Sequence, residues 1–322
     1  MSAAITVNNL SKKYGTLEAL KGISFEVQSG EIFGFLGPNG AGKTTTVNIL
    51  TGILRPNGGS ATILGHDVTK DSYQAKERIG VVHEVSNVYP EYSAYNNLMF
   101  SAVLYSVPRK IARERVDYLL DIFFLRDKKY AKARKISQGM KRKLAIAMAL
   151  IHQPQVLFLD EPTTGVDIAT VFTIREIIKE LNSRGVTIFL TTHNINEASI
   201  ICHRVAIINK GEIIAIDTPE NLRKAAKRVQ SVEVEFDVPP AKEAEILEYL
   251  PSASKASKRG DKLILTTDDP HRLMEEILEY SRKTGCVITH FNTPGPSFED
   301  VFIELTGIKP KSLSAMDVSR DG

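Results

Sequence analysis

The sequence predicts an α/β fold in which a mostly parallel sheet is flanked by helices, followed by a smaller α/β unit. Two apolar runs, at 156–159 and 186–190, have the composition of buried strands, and each follows a stretch with helical periodicity. A third strand-like run, at 32–36, leads directly into a glycine-rich segment that opens a helix. Strands that alternate with helices in this way favour a parallel sheet.

Further elements are predicted on either side of these runs. Alternating apolar residues at Ile23, Phe25 and Val27 favour an early strand. Between about residues 85 and 150 the pattern changes to a tyrosine-rich loop followed by helix-period segments, which predicts a helical insertion. This organisation assigns residues 1–218 to one domain.

A domain boundary is predicted at Thr218-Pro219, where the sequence Thr-Pro-Glu is typical of a helix start. Strand-like and helix-like segments alternate beyond it, which indicates a compact accessory α/β domain over 219–308. The strand-like segments are 232–236, 263–266 and 287–291, and the helix-like segments are 241–250 and 271–282. A last helix is predicted from Ser297 to Leu305 with Gly307 closing it, and 309–322 are predicted to be a flexible tail.

The composition is that of a globular protein without a membrane span. The 322 residues include 41 basic and 38 acidic side chains, a formal charge of +3, and 43% are hydrophobic. The longest apolar run, 144–151, is far shorter than the roughly 18 residues that a membrane helix needs. No export signal opens the chain, and Cys202 and Cys286 have no metal-ligand spacing. We therefore predict free thiols and a cytoplasmic location.

The chemistry begins at residues 37–45, whose sequence GPNGAGKTT matches the phosphate-binding pattern G-x-x-x-x-G-K-[ST] after a strand. Glycines let successive backbone N–H groups approach phosphate oxygens, and the following helix directs its positive end to the same point. Lys43 is placed at the β and γ phosphates, and the Thr44 hydroxyl in the coordination shell of Mg²⁺. The predicted nucleotide-binding residues of this loop are Gly37, Pro38, Asn39, Gly40, Ala41, Gly42, Lys43, Thr44 and Thr45.

Three more candidates follow the ends of predicted strands. Asp160 ends the run at 156–159 and is predicted to hold the metal through water. Glu161, one residue further along an extended chain, is predicted to point to the other side and to act as general base. His193 follows the strand at 186–192, where ligands of open α/β sheets bind, and is predicted to contact the γ phosphate. A solvent-exposed acidic strand end and a structural histidine are the alternatives.

Two features leave their interpretation open. Tyr14 lies in the segment KKYG near the chain start, and it is either a surface turn aromatic or a ring that stacks on a base. Residues 126–143 carry nine Lys or Arg against the single acid Asp127. This basic run is either a solvated helical face or a surface that faces an anion.

Together these motifs resemble the ATP-binding-cassette (ABC) ATPases over residues 4–218. Residues 136–140, ISQGM, resemble the signature motif of that family, normally LSGGQ, and lie shortly before Asp160 and Glu161. The resemblance implies a P-loop NTPase cassette with an N-terminal antiparallel β part, which binds ATP and Mg²⁺ and hydrolyses ATP. It also implies that Tyr14 stacks on adenine, that Asp167 belongs to the D-loop, and that His193 is the switch histidine.

The resemblance further implies a second cassette, because in this family each nucleotide lies between the phosphate loop of one cassette and the signature of another. Ser137, Gln138, Gly139 and Met140 are the signature residues expected to act across the dimer. Ser137 and Gly139, at a helix start, would offer phosphate donors. A homodimer is the simplest expectation, and a heterodimer with a related cassette would serve equally. No nucleic acid partner is expected.

Two positions depart from the family pattern. Gln138 replaces a commoner glycine and is expected to point away from phosphate. Glu84 ends the segment IGVVHE, where the Q-loop glutamine is expected, and is a candidate for both nucleotide and metal binding. A carboxylate repels a triphosphate unless a metal ion lies beside it. We hypothesise that Glu84 remains the residue that couples the cassette to its partner.

Two segments resemble drug-exporter ATPases. Residues 88–98 resemble the start of a helical subdomain where a membrane partner docks, and the tyrosines at 89, 92, 95 and 105 are candidates for that contact. Packing of the inserted helices on themselves is the alternative. Residues 296–302, PSFEDVF, resemble a closing motif of daunorubicin-resistance-type exporters. We therefore predict the ATPase subunit of an ABC exporter, peripheral at the inner face of the cell membrane through a separate transmembrane permease.

Two other classes of function are considered. A soluble ABC-type ATPase in translation or DNA repair would use the same site, but the tandem cassettes or long coiled-coil insertion typical of such proteins are not visible in the sequence. A regulatory nucleotide switch, in its sharpest form a GTPase, would need a guanine-reading NKxD motif. Residues 209–212, NKGE, lack its aspartate, so adenine is favoured.

Overall fold

The computed structural model describes residues 2–85, 87–225, 230–237, 243–293, 301–302 and 305–307. The chain forms two compact units, Met1–Thr218 and Pro219–Gly322. In the described segments, no helix has the length and apolar character needed to cross a membrane. Both cysteines are free thiols, with Cys202 buried and Cys286 partly buried.

The first unit contains two sheets and seven α-helices in its described part. Its strands are β1 (Ala3–Tyr14), β2 (Leu17–Gln28), β3 (Ile32–Leu36), β4 (Gly58–Ile63), β5 (His66–Asp67), β6 (Ile79–Val82), β7 (Val156–Asp160), β8 (Thr187–Thr192), β9 (Arg204–Asn209) and β10 (Glu212–Asp217). Its α-helices are α1 (Lys43–Leu50), α2 (Ser72–Glu77), α3 (Ala94–Leu104), α4 (Arg109–Ile122), α5 (Gln138–Leu150), α6 (Ile168–Ser183) and α7 (Ile195–Ile201).

The larger sheet has the strand order β10-β9-β3-β8-β7-β6. All neighbours from β9 to β6 are parallel, and β10 pairs antiparallel at the edge. Every residue of β3 and β8 is buried, as expected for strands with both faces covered. The Phe189 ring lies 5.5–5.9 Å from the rings of Phe33, Phe35 and Phe158 at the centre of the core. The predicted parallel sheet is confirmed, and it brings the carboxyl ends of β3, β7 and β8 to one edge.

The smaller sheet is antiparallel, in the order β2-β1-β4-β5. A two-residue turn joins β1 to β2, and Gly15 in this turn has φ 58°, a left-handed conformation that glycine adopts at low cost. Ile5, Val7 and Val27 are buried in the same core as the parallel sheet. The family resemblance implied this sheet, but the position of β1 was not predicted. A register shift between Val7 and Leu10 interrupts the alternation of apolar and polar residues that marks a strand.

A helical region built from α3, α4 and α5 follows β6, and two single-turn 3-10 helices, Arg126–Lys128 and Ala133–Lys135, connect α4 to α5. Helix α3 begins after Ser93, whose hydroxyl accepts a hydrogen bond from the Asn96 amide at 3.1 Å. Helix α4 buries one stripe at the i, i+4, i+7, i+8 spacing of an amphipathic helix. The helical insertion predicted as part of the fold is confirmed.

The second unit is a separate small α/β domain. Its elements are α8 (Pro219–Ala225), β11 (Gln230–Phe236), α9 (Glu243–Tyr249), β12 (Lys255–Arg259), β13 (Lys262–Thr267), α10 (Pro270–Thr284) and β14 (Ile288–Asn292). The four strands form an antiparallel sheet in the order β12-β13-β11-β14, which from β11 onward is a βαββαβ arrangement. Val232, Val234, Leu265, Leu273 and Ile277 form its core. The predicted appendage is confirmed, but β12 was missed because its sequence KASKR carries no apolar alternation.

The predicted last helix is only partly described. Residues 294–300 lie outside the described residues, and with them most of the segment 296–302 that resembles exporters. Val301 and Phe302 are helical and buried. Gly307 has φ 67°, the left-handed conformation common where a helix ends. The predicted tail, 309–322, lies outside the described residues.

Candidate functional site

The glycine-rich loop at 37–45 connects the end of β3 to α1. Gly42 precedes the first helical residue and has φ 111°, a conformation that a residue with a Cβ rarely adopts. A Cβ at Gly37 would lie 2.3 Å from the carbonyl oxygen of Ile208, so only glycine fits beside β9. A Cβ at Gly40 would meet nothing within 4 Å. The loop is therefore packed against the sheet at its start and open at its tip.

Lys43 is buried at the base of this loop. Its Nζ donates hydrogen bonds to the carbonyl oxygens of Gly37 at 2.7 Å and Pro38 at 3.2 Å. The same Nζ lies 3.3 Å from Oε1 of Glu161. The ammonium group is thus positioned by the loop backbone and paired with a carboxylate at the end of β7.

The two predicted carboxylates at the end of β7 differ in environment. Asp160 is almost fully buried, and its Oδ1 accepts a hydrogen bond from the Thr191 hydroxyl on β8. Glu161 has φ 49°, so the extended chain ends before it. The prediction that strand alternation directs Glu161 away from Asp160 is wrong in its reason, because a left-handed backbone sets the direction instead. Its Oε2 accepts a hydrogen bond from the Thr164 hydroxyl at 3.1 Å.

His193 follows the last residue of β8 and is half exposed. Its Nδ1 lies 2.8 Å from Oε2 of Glu161. The parallel pairing of β7 with β8 places the two strand ends side by side, which explains why residues 32 positions apart meet. The imidazole, the carboxylate and the Lys43 ammonium therefore form one contiguous polar group.

A cavity of about 1090 Å³ lies over this polar group. Ten predicted residues line it: Tyr14, Asn39, Gly40, Gly42, Lys43, Thr44, Thr45, Glu84, Glu161 and His193. Gly37, Pro38, Ala41 and Asp160 are not on its wall. The structure thus gathers most of the predicted nucleotide-binding residues around one space large enough for a small-molecule ligand.

Part of this wall was not predicted from the sequence. Thr16 in the β1–β2 turn, and Leu17 and Glu18 at the start of β2, line the cavity beside the exposed Tyr14. The prediction that Tyr14 binds the nucleotide could have indicated these residues, because residues next to Tyr14 in a tight hairpin lie close to the same cavity. Lys210, considered only as half of a guanine-reading motif, also lies on the wall.

Glu84 follows β6 and its side chain is exposed on the cavity wall. Its backbone carbonyl accepts a hydrogen bond from Nη1 of Arg142 at 2.9 Å. Because β6 pairs in parallel with β7, Glu84 lies at the same sheet edge as Glu161.

The signature residues lie at the start of α5. The Ser137 hydroxyl accepts a hydrogen bond from the Met140 amide at 3.2 Å and so caps the helix. Ser137 and Gln138 are exposed, whereas Gly139 is buried, and a Cβ there would lie 2.5 Å from Oγ1 of Thr170. All four signature residues are described, and none of them lines the 1090 Å³ cavity.

Asp167 caps the start of α6. Its carboxylate accepts hydrogen bonds from the Thr170 amide at 2.9 Å and the Thr170 hydroxyl at 2.8 Å. The hydrogen bond from the Thr170 amide is the main cause that lowers the pKa of Asp167. Thr170 therefore contacts both Asp167, at the start of α6, and Gly139, at the start of α5.

Arg142 is a functional candidate that sequence analysis did not single out. It belongs to the basic run at 126–143, yet its side chain is buried and its guanidinium donates to backbone carbonyls of residues that follow β6 and end β7. Burial lowers the pKa of Arg142, and the carboxylates of Asp160, Glu84, Glu161 and Glu197 oppose that shift. The sequence did not indicate that Arg142 is buried, because it lies among other basic residues in the run.

Other members of the basic run are paired with acids. Arg126 forms an ion pair with Asp121, and Nζ of Lys129 lies 2.5 Å from Oδ1 of Asp117. Glu91 forms ion pairs with both Lys132 and Arg134. The acidic partners lie outside the run, at Glu91, Asp117 and Asp121. The net positive charge of this surface is therefore lower than a count within 126–143 indicates. Of the two interpretations, the described contacts favour a solvated, internally paired face.

The four tyrosines proposed as a docking contact separate into three groups. Tyr89 and Tyr92 pack against Phe100, at ring distances of 4.9 and 6.0 Å. Tyr95 pairs with Tyr130. Tyr105 stacks on His152 at 3.6 Å, beside a second cavity of about 830 Å³. These contacts favour the alternative, in which the inserted helices pack on themselves.

The cavity wall offers oxygen donors of the kind that Mg²⁺ prefers. In the described part of the chain, no three His, Cys, Asp or Glu side chains come together as a metal site of their own. Mg²⁺ commonly takes one or two carboxylates and completes its shell with water and substrate phosphates. The Thr44 hydroxyl and the Glu84 carboxylate, both hard oxygen donors, lie on the wall. The residues present therefore fit a Mg²⁺ ion that arrives with a nucleotide.

Comparison with known proteins decides the family. Residues 20–164 match the family model described as "ABC transporter", and residues 218–306 match "ATP-binding protein DrrA1-3-like, C-terminal domain". The chain is 37% identical to the Nod factor export ATP-binding protein I of Burkholderia pseudomallei (strain K96243) over 305 residues, which is 95% of this chain and 97% of that protein. This chain belongs to the ATP-binding proteins of ABC transporters.

Two further relatives agree with this assignment. The linearmycin resistance ATP-binding protein LnrL of Bacillus subtilis (strain 168) is 38% identical over 218 residues, 68% of this chain and 70% of that protein. A dimeric ATP-binding cassette in a post-hydrolysis state, bound to ADP and Pi, has a TM-score of 0.60 at 27% identity and covers 66% of this chain and 98% of that one.

The predictions of an ABC transporter ATPase, of resemblance to exporter ATPases and of a P-loop NTPase fold are confirmed. This ABC protein binds and hydrolyses ATP as its family does. Cassettes of the family work in pairs and with a membrane-spanning partner. The relatives do not favour the alternatives of a soluble ATPase in translation or DNA repair, or of a regulatory switch.

Proposed function

We propose that this chain powers export through a separate membrane-spanning permease, from the inner face of the cell membrane. The observation that carries the proposal is the division of the site. The phosphate loop, Glu161 and His193 converge on one cavity, while the signature residues of the same chain do not line it. Complementary halves on one chain need a second cassette to complete them. The relatives named for Nod factor export and linearmycin resistance support export as the direction.

Within one half-site, each residue has a distinct role. Lys43, Thr45 and the loop backbone bind the phosphates, and Tyr14 stacks on adenine. Thr44, Glu84 and, through water, Asp160 would hold Mg²⁺, which would offset negative charge on the phosphates. Glu161 takes a proton from the attacking water. His193, held beside Glu161, contacts the γ phosphate.

The second half-site acts across the dimer. Ser137, Gln138, Gly139 and Met140 present the start of α5 to the nucleotide of the other cassette, where the helix dipole favours negative charge. Asp167 fixes the D-loop beside them through Thr170. A homodimer is the simplest assembly, since two-fold symmetry makes both composite sites from one sequence.

The domain organisation follows from the same assignment. Residues 1–218 serve as the cassette, and residues 219–308 serve as an accessory domain. The match of 218–306 to a domain of DrrA1-3-like proteins supports this division.

A membrane-partner capture tests the proposal. The full-length Glu161→Gln variant, which is expected to keep ATP bound, is tagged and recovered from detergent-solubilised membranes in the presence of ATP and Mg²⁺. A polytopic membrane protein should be recovered with it, and less should be recovered with a Lys43→Met control that cannot hold the nucleotide. Recovery of a ribosomal or DNA-bound partner instead of a membrane protein would contradict the proposal.

A further inference from the structure

The guanidinium of Arg142 is saturated by backbone carbonyls. An arginine side chain carries five N–H donors. Nη1 donates to His83 at 2.6 Å and Glu84 at 2.9 Å, Nη2 donates to Asp160 at 2.6 Å and Glu161 at 2.7 Å, and Nε donates to Pro162 at 2.9 Å. Five donors thus meet five acceptors inside a site where the side chain is only 3% exposed.

These acceptors belong to two segments that are far apart in sequence. His83 and Glu84 follow β6, whereas Asp160 ends β7 and residues 161 and 162 follow it. The two strands are parallel neighbours, so their carboxyl ends lie side by side, and Arg142 reaches both from α5. One side chain therefore joins the helix that begins with the signature to the Glu84 segment and to the Glu161 segment.

The conformation of Glu161 gives this contact its importance. A residue with a Cβ at φ 49° lies in a sparsely populated left-handed region and persists only where its surroundings hold it. Arg142 binds the carbonyls of residues 160, 161 and 162, so it fixes the backbone on both sides of this residue. Arg142 bonds to the Glu161 carbonyl oxygen, whereas the Glu161 carboxylate contacts Lys43, Thr164 and His193.

We propose that Arg142 is a positioning residue that fixes the Glu161 carboxylate for the hydrolytic step and ties it to the signature helix and the Glu84 segment. The inference rests on the proposed function, because it assumes that Glu161 acts on the attacking water. Lysine cannot replace the contact, because an ammonium group has three donors at one point and no planar fork.

A double-mutant cycle tests the role. Arg142→Lys should lower kcat at least roughly tenfold while changing KM for ATP by less than about threefold, because the nucleotide contacts of the phosphate loop are untouched. In a Glu161→Gln background, the same substitution should change the residual kcat by less than about twofold, since a positioning residue has no further effect once the group it positions is gone. Lys143→Gln, a basic residue next to it on α5, is the matched control and should leave kcat near the wild-type value.

The outcomes separate this inference from the function on which it rests. An active wild-type chain with a fully active Arg142→Lys variant overturns the inference alone, as does an equal fall in kcat in both backgrounds. A wild-type chain without ATP turnover overturns the proposed function and the inference together.

Arg142→Ala gives a second measurement if the lysine variant folds poorly, since the truncation leaves room for a free guanidinium ion. Millimolar guanidinium should then raise kcat saturably, with sodium at equal ionic strength as control, and no rise would also contradict the role.

Discussion

Lys43 and Glu161 form a buried ion pair between the phosphate loop and the end of β7. The Nζ to Oε1 distance is 3.3 Å, and each side chain is 7% exposed. A buried charge is stable only when it is paired and hydrogen-bonded. Lys43 also donates to two loop carbonyls, and Glu161 also accepts from Thr164. The pair therefore fixes the two groups to which we assign phosphate binding and water activation.

The Glu161→Gln variant separates these two assignments. Its kcat should fall by roughly 10² to 10⁴ because an amide cannot take a proton, while ATP binding should be retained because the loop is intact. Steady-state hydrolysis and equilibrium binding of ATP measure the two effects. Lys43→Met is the matched comparison and should lose binding as well as turnover. Near-normal turnover of Glu161→Gln would remove Glu161 as the general base.

Gly139 is predicted to tolerate no side chain. In Gly139→Ala the new Cβ would lie 2.5 Å from Oγ1 of Thr170, so the variant should lose about 1–3 kcal/mol of unfolding free energy, the usual cost of overpacking. Thermal unfolding of the variant measures this loss. Thr170→Ala removes the contacting hydroxyl, so part of the loss should be recovered in the double variant. A Gly139→Ala protein as stable as the wild type would refute this packing.

Glu197 is predicted to make stability depend on pH. Burial raises its pKa from the ordinary value of 4.5, and Oε2 has no hydrogen-bond partner among the described residues. The folded chain therefore holds this proton more tightly than the unfolded chain, so the contribution of Glu197 to the unfolding free energy falls as pH rises above 4.5. In Glu197→Gln that fall is absent. The melting temperature of the variant relative to the wild type should increase from pH 4.5 toward neutrality, and a constant difference would contradict the prediction.

Glu84→Gln tests the unusual carboxylate at the cavity wall. If Glu84 contributes to Mg²⁺ binding, the variant should need more Mg²⁺ for half-maximal hydrolysis, because a neutral amide holds the cation less strongly. The measurement is a Mg²⁺ titration of ATP turnover at several pH values. Unchanged Mg²⁺ and pH dependence would show that the carboxylate has no special role.

Much of the fold, and the residues that meet at the cavity, could be predicted because the signals are local. The phosphate loop, the acids after β7 and His193 after β8 each sit next to an apolar strand, and parallel pairing brings strand ends together. The parts that could not be predicted depend on three-dimensional neighbours. Arg142 resembles its basic neighbours in sequence, and only the fold shows that its guanidinium meets carbonyls at the carboxyl ends of β6 and β7.

The backbone conformation of Glu161 also could not be predicted from the sequence. Glu161 was placed by extending β7 one residue too far, and a left-handed φ cannot be deduced from a run of apolar residues and acids. The same holds for Tyr105, which follows the tyrosines of 89–95 in sequence but stacks on His152, a residue that only the fold brings near.

The most direct test of the composite site mixes two inactive variants of the chain. Lys43→Met removes the ammonium group to which we assign phosphate binding. Ser137→Asp keeps the α5 cap while placing a negative charge where the signature would meet phosphate. Each variant alone should be inactive. In a mixed dimer, one site combines the intact Lys43 of one chain with the intact Ser137 of the other, so an equimolar mixture should recover about a quarter of wild-type turnover per chain. A mixture no more active than the separate variants, or a Ser137→Asp chain that is fully active alone, would contradict a site shared between two cassettes.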